Sequence, residues 1–533
     1  MTFVYRISLF SFLSILGFGL VATTPASAQS LATKQAIAEA AASDKDVAAF
    51  YKEIGYKPIW TGKSRADRKR REAFLAALED AGAHALPVEN YRSEDVAAKM
   101  RAARSERDLG LLDVELSRLF LEYARDVQTG VVVPSRVDEG LVREVPLRPR
   151  KATLAAFYKS SASGFLEALP PSSAEYARLM KEKMRFERII GRGGWGDEVP
   201  ERTLKPGAKN KSVLTLRNRL IAMGYLGRTA TTTYDADIQA AVKAFQQTHG
   251  LFDDGVAGPR TLQAINVSAA SRLSQIVVAM ERERWINMPL GKRHIWVNLT
   301  DFHARIVDNG KVTFRTRSVI GANDVERRSP EFSDVMDHMV INPTWNVPKS
   351  IATKEYLPLL KEDPFAVSNL NITDIRGQLV DRAEADFSQY TEDFFPYDMK
   401  EPPSRGNALG LVKFMFPNRY NIYLHDTPAK SLFGREKRAF SHGCIRLNDP
   451  FDFAYELLGK QESDPVGFFQ STLRTGRETV VMLDQPVPVH LVYRTAITKP
   501  KGGIEFRGDV YGRDRAIWRA LSNAGVVLQA VRG

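Results

Sequence analysis

The sequence predicts a multidomain α+β protein. A helical N-terminal scaffold is followed by a small three-helix module and a mainly β C-terminal domain with a long insertion. Three observations predict this. Apolar residues within 29–200 recur at helical spacing. Residues 207–267 hold three short amphipathic segments separated by Gly, Pro and Asp. From residue 293 the period changes to two, with Ile295, Val297 and Leu299 alternating against Trp296 and Asn298. A chain of 533 residues is also too long for one core.

Residues 1–28 read as a secretory signal. Arg6 precedes an apolar run from Ile7 to Ala22, and Ala26-Ser27-Ala28 is a small-x-small cleavage site. The run is short for an uncleaved anchor, so a membrane is expected to matter only during export. The hydrophobic fraction of 44% and charged fraction of 26% are those of globular protein. The net charge of +12 gives a basic surface, either simply solvated or attractive to a polyanion. No arginine-rich tail or zinc-finger spacing points to nucleic acid.

Within the expected scaffold, residues 29–200, the spacing predicts helices over Leu31 to Tyr51, Asp67 to Ala81 and Leu109 to Val127. In the third, Leu112, Leu116, Leu119, Phe120 and Tyr123 form a stripe that reads as core. Gly191 to Pro206 is rich in Gly, Pro and charge and reads as a linker.

In residues 207–267, Val213, Leu216, Leu220 and Met223 mark a first helix closed by Gly224. Ile238, Val242 and Phe245 mark a second. Pro259 sits just inside the start of a third, where its missing N–H costs nothing. Asp253 and Asp254 beside Gly255 lack the spacing of a calcium loop and read as turn residues. The Leu-x-x-Met-Gly-Tyr-Leu ending, the Ala-Val-Lys-Ala-Phe-Gln-Gln helix and the Asp-Gly-Val-Ala-Gly-Pro run resemble the peptidoglycan-binding module. The alternative is a helical spacer that binds nothing.

A connecting helix over 270–289 leads to the C-terminal domain, residues 290–533. Asp308-Asn309-Gly310 between alternating runs predicts a hairpin, because Asn and Gly tolerate positive φ. Residues 351–409 break the β pattern with a short helix, aromatic residues and a Pro/Gly loop, and form a candidate lid. Strand character resumes over Leu411 to Phe416 and Tyr420 to His425. Phe451 to Gly459 reads as a helix. Glu478 to Leu483 and Val489 to Thr495 read as two strands, and Gly502 to Phe506 as a partner for the latter. Residues 486–533 form a C-terminal extension closed by a helix over Asp514 to Ala524.

The candidate chemistry lies between Tyr423 and Asn448. Cys444 is the only cysteine in the chain, so an intramolecular disulfide is impossible. It follows Ser441-His442-Gly443 and precedes Arg446 by two residues. A cysteine nucleophile needs a base, oxyanion donors and an exposed sulfur. Alternation puts Asn421, Tyr423 and His425 on one strand face, with His425 at its end as the base. Gly443 permits a tight turn in which the N–H groups of Gly443 and Cys444 can face a carbonyl. Arg446 can hold a carboxylate in bidentate fashion, or serve a plain structural ion pair. A metal reading of His425, His442 and Cys444 lacks the usual ligand spacing.

The run His-x15-Ser-His-Gly-Cys-Ile-Arg-Leu-Asn resembles the signature of the YkuD-type L,D-transpeptidases of peptidoglycan. Ile341-Asn342-Pro343, Trp345-Asn346-Val347-Pro348, Tyr423 to Pro428 and the tail Asp509 to Asp514 resemble the large scaffold-type members. The resemblance implies Cys444 as acylated nucleophile, His425 as general base, and His442 and Gly443 at the oxyanion hole through their backbone. It places Arg446 in the substrate pocket; Tyr423 reads as packing or site-lining, and Ser441 as a further candidate for substrate binding. It implies 3→3 cross-linking of peptidoglycan stem peptides in the periplasm, with D-alanine released and no cofactor. L,D-carboxypeptidase, protein-anchoring enzyme, cysteine endopeptidase and non-catalytic wall-binding protein are the alternatives.

Overall fold

The computed structural model describes residues 25–200 and 202–530, with backbone alone for 25–30. The expected export signal lies outside the described residues except at 25–28, which open the first helix, Pro25–Ala41. The chain divides into two compact units. The first comprises described residues up to Glu79 with Arg92–Tyr123 and Arg148–Glu167. The second comprises Asp80–Tyr91, Ala124–Leu147 and the remainder from Ala168.

The first unit is helical. The helix expected over Leu31 to Tyr51 is split in two, Pro25–Ala41 and Lys45–Glu53, because the Asp44 carboxylate accepts from the N–H groups of Asp46 and Val47 and starts a new helix. The helix Glu106–Thr129 carries the predicted stripe, and Leu112, Leu116, Phe120 and Tyr123 are buried. Asp113 on the same helix is fully buried. Its carboxylate accepts from Tyr51 Oη, Ile59 N, Trp60 N and Thr61 N at 2.6–3.0 Å, which fixes the aromatic cluster onto the helix.

In the second unit, helices Lys211–Met223, Ala236–His249 and Pro259–Asn266 pack around Leu216, Leu220, Val242, Phe245, Leu262 and Ile265. Gly224 and Gly250 end the first two in the left-handed conformation that Gly adopts without a Cβ penalty.

The C-terminal part is built on strands β1 (Arg293–Asn298), β2 (His303–Asp308), β3 (Lys311–Gly321), β4 (Phe332–Ile341), β5 (Trp345–Asn346), β6 (Asn371–Thr373), β7 (Asp398–Glu401), β8 (Val412–Met415), β9 (Leu424–His425), β10 (Ala439–Ser441), β11 (Ile445–Leu447), β12 (Thr479–Val492), β13 (Ala496–Thr498) and β14 (Ile504–Phe506). The main sheet runs β10-β3-β11-β9-β8-β4-β12-β1-β2, and β2 also pairs with β3. The pairings therefore close into a ring of eight strands, with β10 added beside β3. Closure removes free edges and leaves an interior to be filled by side chains. Ile295, Ile306, Met339, Phe414, Leu447 and Leu491 are among those that fill it. The Asp308-Asn309-Gly310 turn joins β2 to β3 as predicted, with positive φ at Asn309 and Gly310.

Three expectations are corrected. The two strands expected over 478–495 are one, β12, whose register shifts between Met482 and Val487. This strand crosses residue 486, so the sheet continues into the region expected as an extension. The segment Gly502 to Phe506 pairs instead with β13 in a separate two-stranded sheet. A helix at Pro465–Arg474 is additional to those expected.

A buried ionic cluster joins the connecting helix Ala269–Trp285 to the barrel. Glu331 receives Arg282 Nη1 on both carboxylate oxygens and lies 3.5 Å from Arg513 Nη1, and Asp514 lies 3.2 Å from Arg282 Nη2. Burial pushes Asp514 up to about 7. Breaking one member of such a cluster leaves an uncompensated charge in low dielectric. Glu331→Gln is expected to lower the unfolding free energy by about 3 kcal/mol in urea denaturation. A loss under about 0.5 kcal/mol would mean that the cluster contributes nothing to holding the barrel.

Candidate active site

β9 and β11 run parallel, with Leu424 opposite Ile445 and His425 opposite Arg446. Ile445 N donates to Tyr423 O at 3.0 Å, so Cys444 enters beside Tyr423. The rings of Tyr423 and His425 meet edge to face at 5.6 Å, as their shared strand face predicts. The strand is shorter than expected, because the chain turns at Asn421, whose φ is +53°. The Asn418 carboxamide makes that turn. Its oxygen accepts from Tyr420 N and Ile422 N, and its nitrogen donates to the carbonyls of Phe416 and Ile422. Asn421 thus presents its carbonyl to the site, and the Cys444 thiol donates to it at 3.4 Å.

Cys444 is partly open to solvent. The groups packed around its sulfur still push the thiol up to about 11 by burial, against the Tyr423 backbone and phenol and the Arg446 charge. Tyr423 is held well above its ordinary range, first by burial and then by the neighbouring thiol. His425 is 4% exposed. Burial and then the Arg446 charge lower it to about 3, while the backbone of Asp426 and Leu409 pulls the other way. Its Nδ1 is buried without a hydrogen-bond partner. The resting pair is therefore a neutral thiol and a neutral imidazole. Cys444 immediately precedes β11 at the level of Tyr423, two register positions from His425, and among the described residues no hydrogen bond joins the two. Arg446 is largely covered, has no ion-pair partner among the described residues, and has a buried, unpartnered Nε.

The motif turn is held from both sides. Gly443 has φ +112°, a conformation that suits Gly alone, and a Cβ there would lie 3.1 Å from Ile422 Cδ1. Ser441 Oγ donates to Cys444 O at 2.5 Å and accepts from Gly443 N at 3.2 Å. The Gly443 N–H is thus committed inside the turn and does not face a substrate, contrary to expectation. The N–H of Cys444 has no partner among the described residues. Ser441 is 2% exposed with its hydroxyl engaged on both sides, so it shapes the turn rather than lining a pocket.

Ser329 was not singled out by any sequence pattern. Its buried hydroxyl donates to Gly443 O at 2.6 Å and accepts from Gly321 N at 2.9 Å. Tyr511 Oη donates to Gly321 O at 2.7 Å, and Arg513 donates to Ser329 O at 3.0 Å. A Cβ at Gly321 would sit 1.9 Å from Arg327 O, so this close approach requires Gly. His442 Nε2 lies 2.6 Å from Glu355 Oε1 of the insertion.

The raised thiol has a direct consequence. Alkylation of Cys444 by iodoacetamide is expected to rise through pH 9 toward a midpoint near 11. An ordinary thiol titrates at about 8.5. A plateau reached by pH 8 would contradict this electrostatic environment.

Comparison with known proteins places residues 292–477 in the family model described as an L,D-transpeptidase catalytic domain, YkuD. Residues 45–182 match a scaffold domain, and residues 209–265 a "Putative peptidoglycan binding domain". A protein of Haemophilus influenzae named "Putative L,D-transpeptidase" is 32% identical over 265 residues, covering 49% of this chain and 53% of that protein. The match thus spans about half of each. Solved L,D-transpeptidases from Xylanimonas cellulosilytica and Stackebrandtia nassauensis align at 16% and 15% identity. They cover 56% and 54% of this chain and 98% and 94% of theirs, with TM-scores of 0.16 and 0.21. The family matches are sufficient: the chain carries a YkuD-type L,D-transpeptidase catalytic domain at residues 292–477, joined to a scaffold domain and a domain of the peptidoglycan-binding family.

Proposed function

We propose that this protein is an L,D-transpeptidase that joins peptidoglycan stem peptides by 3→3 cross-links through a thioester on Cys444. The observation that carries this reading is the placement of the solitary thiol. It stands at the mouth of β11, next to Tyr423 and to a guanidinium, Arg446, that lies opposite His425 and has no carboxylate of its own among the described residues. Residues 1–28 would export the chain, the periplasm would be its compartment, and the module at 207–267 would hold the wall polymer. No cofactor is needed for the steps below.

In this reading Arg446 pairs with the carboxylate of the terminal D-alanine of a tetrapeptide stem. That pairing does more than position. The Arg446 charge is the second cause of the low proton affinity of His425. A substrate carboxylate neutralises it, so the imidazole becomes a better base only when the site is filled. His425 then takes the thiol proton as Sγ attacks the carbonyl of the third residue. The oxyanion is met by the Cys444 N–H. The tetrahedral intermediate collapses, the C–N bond breaks, and His425 returns the proton to the departing D-alanine amine. The side-chain amine of a third residue on another stem attacks the thioester and loses its proton to His425. The new amide forms, and the thiolate leaves and recovers that proton.

Incubation of purified disaccharide-tetrapeptides with the wild-type enzyme is expected to give 3→3 dimers and free D-alanine by chromatography and mass spectrometry. Cys444→Ala should give neither. Equal dimer yields from both proteins would sink the proposal, and tripeptide without dimer would make the enzyme a carboxypeptidase. Ser329→Ala should slow acylation about tenfold, the rate equivalent of one buried hydrogen bond of about 1.4 kcal/mol. An unchanged rate would show that the Gly443 carbonyl needs no support.

A further inference from the structure

The insertion at 351–409 carries a core of its own. Leu357, Leu360, Ile372, Phe387, Phe395 and Met399 pack together, and β5, β7 and β6 form a separate three-stranded sheet. A second cluster at its base holds Trp345, Ile351 and Leu409 against Tyr423 and Tyr356. The insertion is thus a small body, joined to the barrel near β5 and β8 and packed on the tyrosine that flanks Cys444.

Away from that base the contacts change character and become ionic. Between helical segments Lys349–Ile351 and Leu357–Glu362 the backbone forms a π-type turn, Ala352–Tyr356. Such turns are rare and recur at functional sites. Two consecutive residues of this turn reach two other segments. Glu355 Oε1 lies 2.6 Å from His442 Nε2 of the motif and accepts from Arg327 Nη2 at 2.8 Å. Lys354 Nζ lies 2.6 Å from Glu326, beside Arg327, and 3.3 Å from Glu392 within the insertion. The Arg327 segment is the one whose backbone crowds Gly321 and leads to Ser329, which holds Gly443. One carboxylate therefore ties the insertion to both walls of the turn that carries Cys444.

We infer that Glu355 is a positioning residue that clasps the insertion over Cys444 and thereby sets whether the thioester is taken by an amine or by water. The inference rests on the reading of Cys444 as the acylated residue. The clasp is suited to reversible closure. Glu355 and His442 are 34% and 32% exposed, so each contact is partly screened and none locks the insertion shut. While closed, it limits the water that reaches the thioester carbonyl. When water does attack, the acid is released, the proton returns to Sγ, and the cross-link is lost.

The test uses the full chain with Glu355→Ala and the isosteric Glu355→Gln, each checked for an unchanged melting temperature. Two readouts are made. The first is amide hydrogen exchange over 349–362, which does not depend on any reaction. It is expected to quicken in the order wild type, Glu355→Gln, Glu355→Ala. The second is the lifetime of the acyl adduct on Cys444 with a stem tetrapeptide and no acceptor, followed by intact mass. It is expected to shorten by roughly three- to tenfold in Glu355→Ala, the range that one or two half-exposed charged contacts supply. Dimer yield relative to tripeptide should fall in parallel. Unchanged exchange in both folded variants overturns the clasp. Faster exchange with an unchanged adduct lifetime overturns its role in acceptor choice. Faster exchange with no adduct even in the wild type leaves the clasp standing and refutes Cys444 as the acylated residue.

Discussion

Ser329 Oγ donates to the carbonyl of Gly443 and accepts from the N–H of Gly321, and on this bridge the site depends. A residue at φ +112° has no strand or helix to hold its carbonyl. The bridge supplies a partner from the neighbouring strand end. Behind it stand Tyr511 and Arg513, and behind Arg513 stand Glu331 and Arg282 in the buried ionic cluster. The turn before Cys444 is thus anchored, through five named side chains, to the helix that enters the barrel and to the C-terminal segment. The direction in which Sγ points is decided by residues far from it in sequence.

The same burial that fixes the turn sets its electrostatics. A thiol raised to about 11 and an imidazole lowered to about 3 form no ion pair at rest. A neutral thiol is a poor nucleophile and also a poor target for oxidants. That suits a lone cysteine under the proposed export of the chain. In the proposed reaction activation therefore comes with the substrate, and Arg446 couples the two. Its charge, after burial, depresses His425, and a bound carboxylate would cancel it.

Much of this was legible in the sequence for physical reasons. Helical stripes such as Leu112 to Tyr123 report burial of one face, and the Asn309-Gly310 hairpin reports a backbone conformation few residues tolerate. The register that places Tyr423 and His425 together follows from strand alternation. What the pattern could not report is long-range. Ser329 looks like any serine before a proline, and its partner Gly443 is distant in the chain. The Gly443 N–H was expected to face a substrate, but a neighbouring hydroxyl, Ser441, captures it. Asn421 was expected on a strand, but the Asn418 carboxamide closes a turn there and supplies bonds that a strand ladder would otherwise make. Glu355 gave no signal because its meaning lies in two partners on other segments. Side-chain to backbone bonds of this kind leave no periodic trace.

The central claim is that Cys444 becomes acylated by the first three residues of a stem as the fourth departs. Intact-mass analysis of the enzyme, quenched within its first turnover on a stem tetrapeptide, tests it most directly. The account predicts a mass increase equal to the tetrapeptide less D-alanine, located by digestion on the fragment holding Cys444, with one D-alanine released per adduct. An adduct that keeps the fourth residue, or one located on any other side chain, would contradict it.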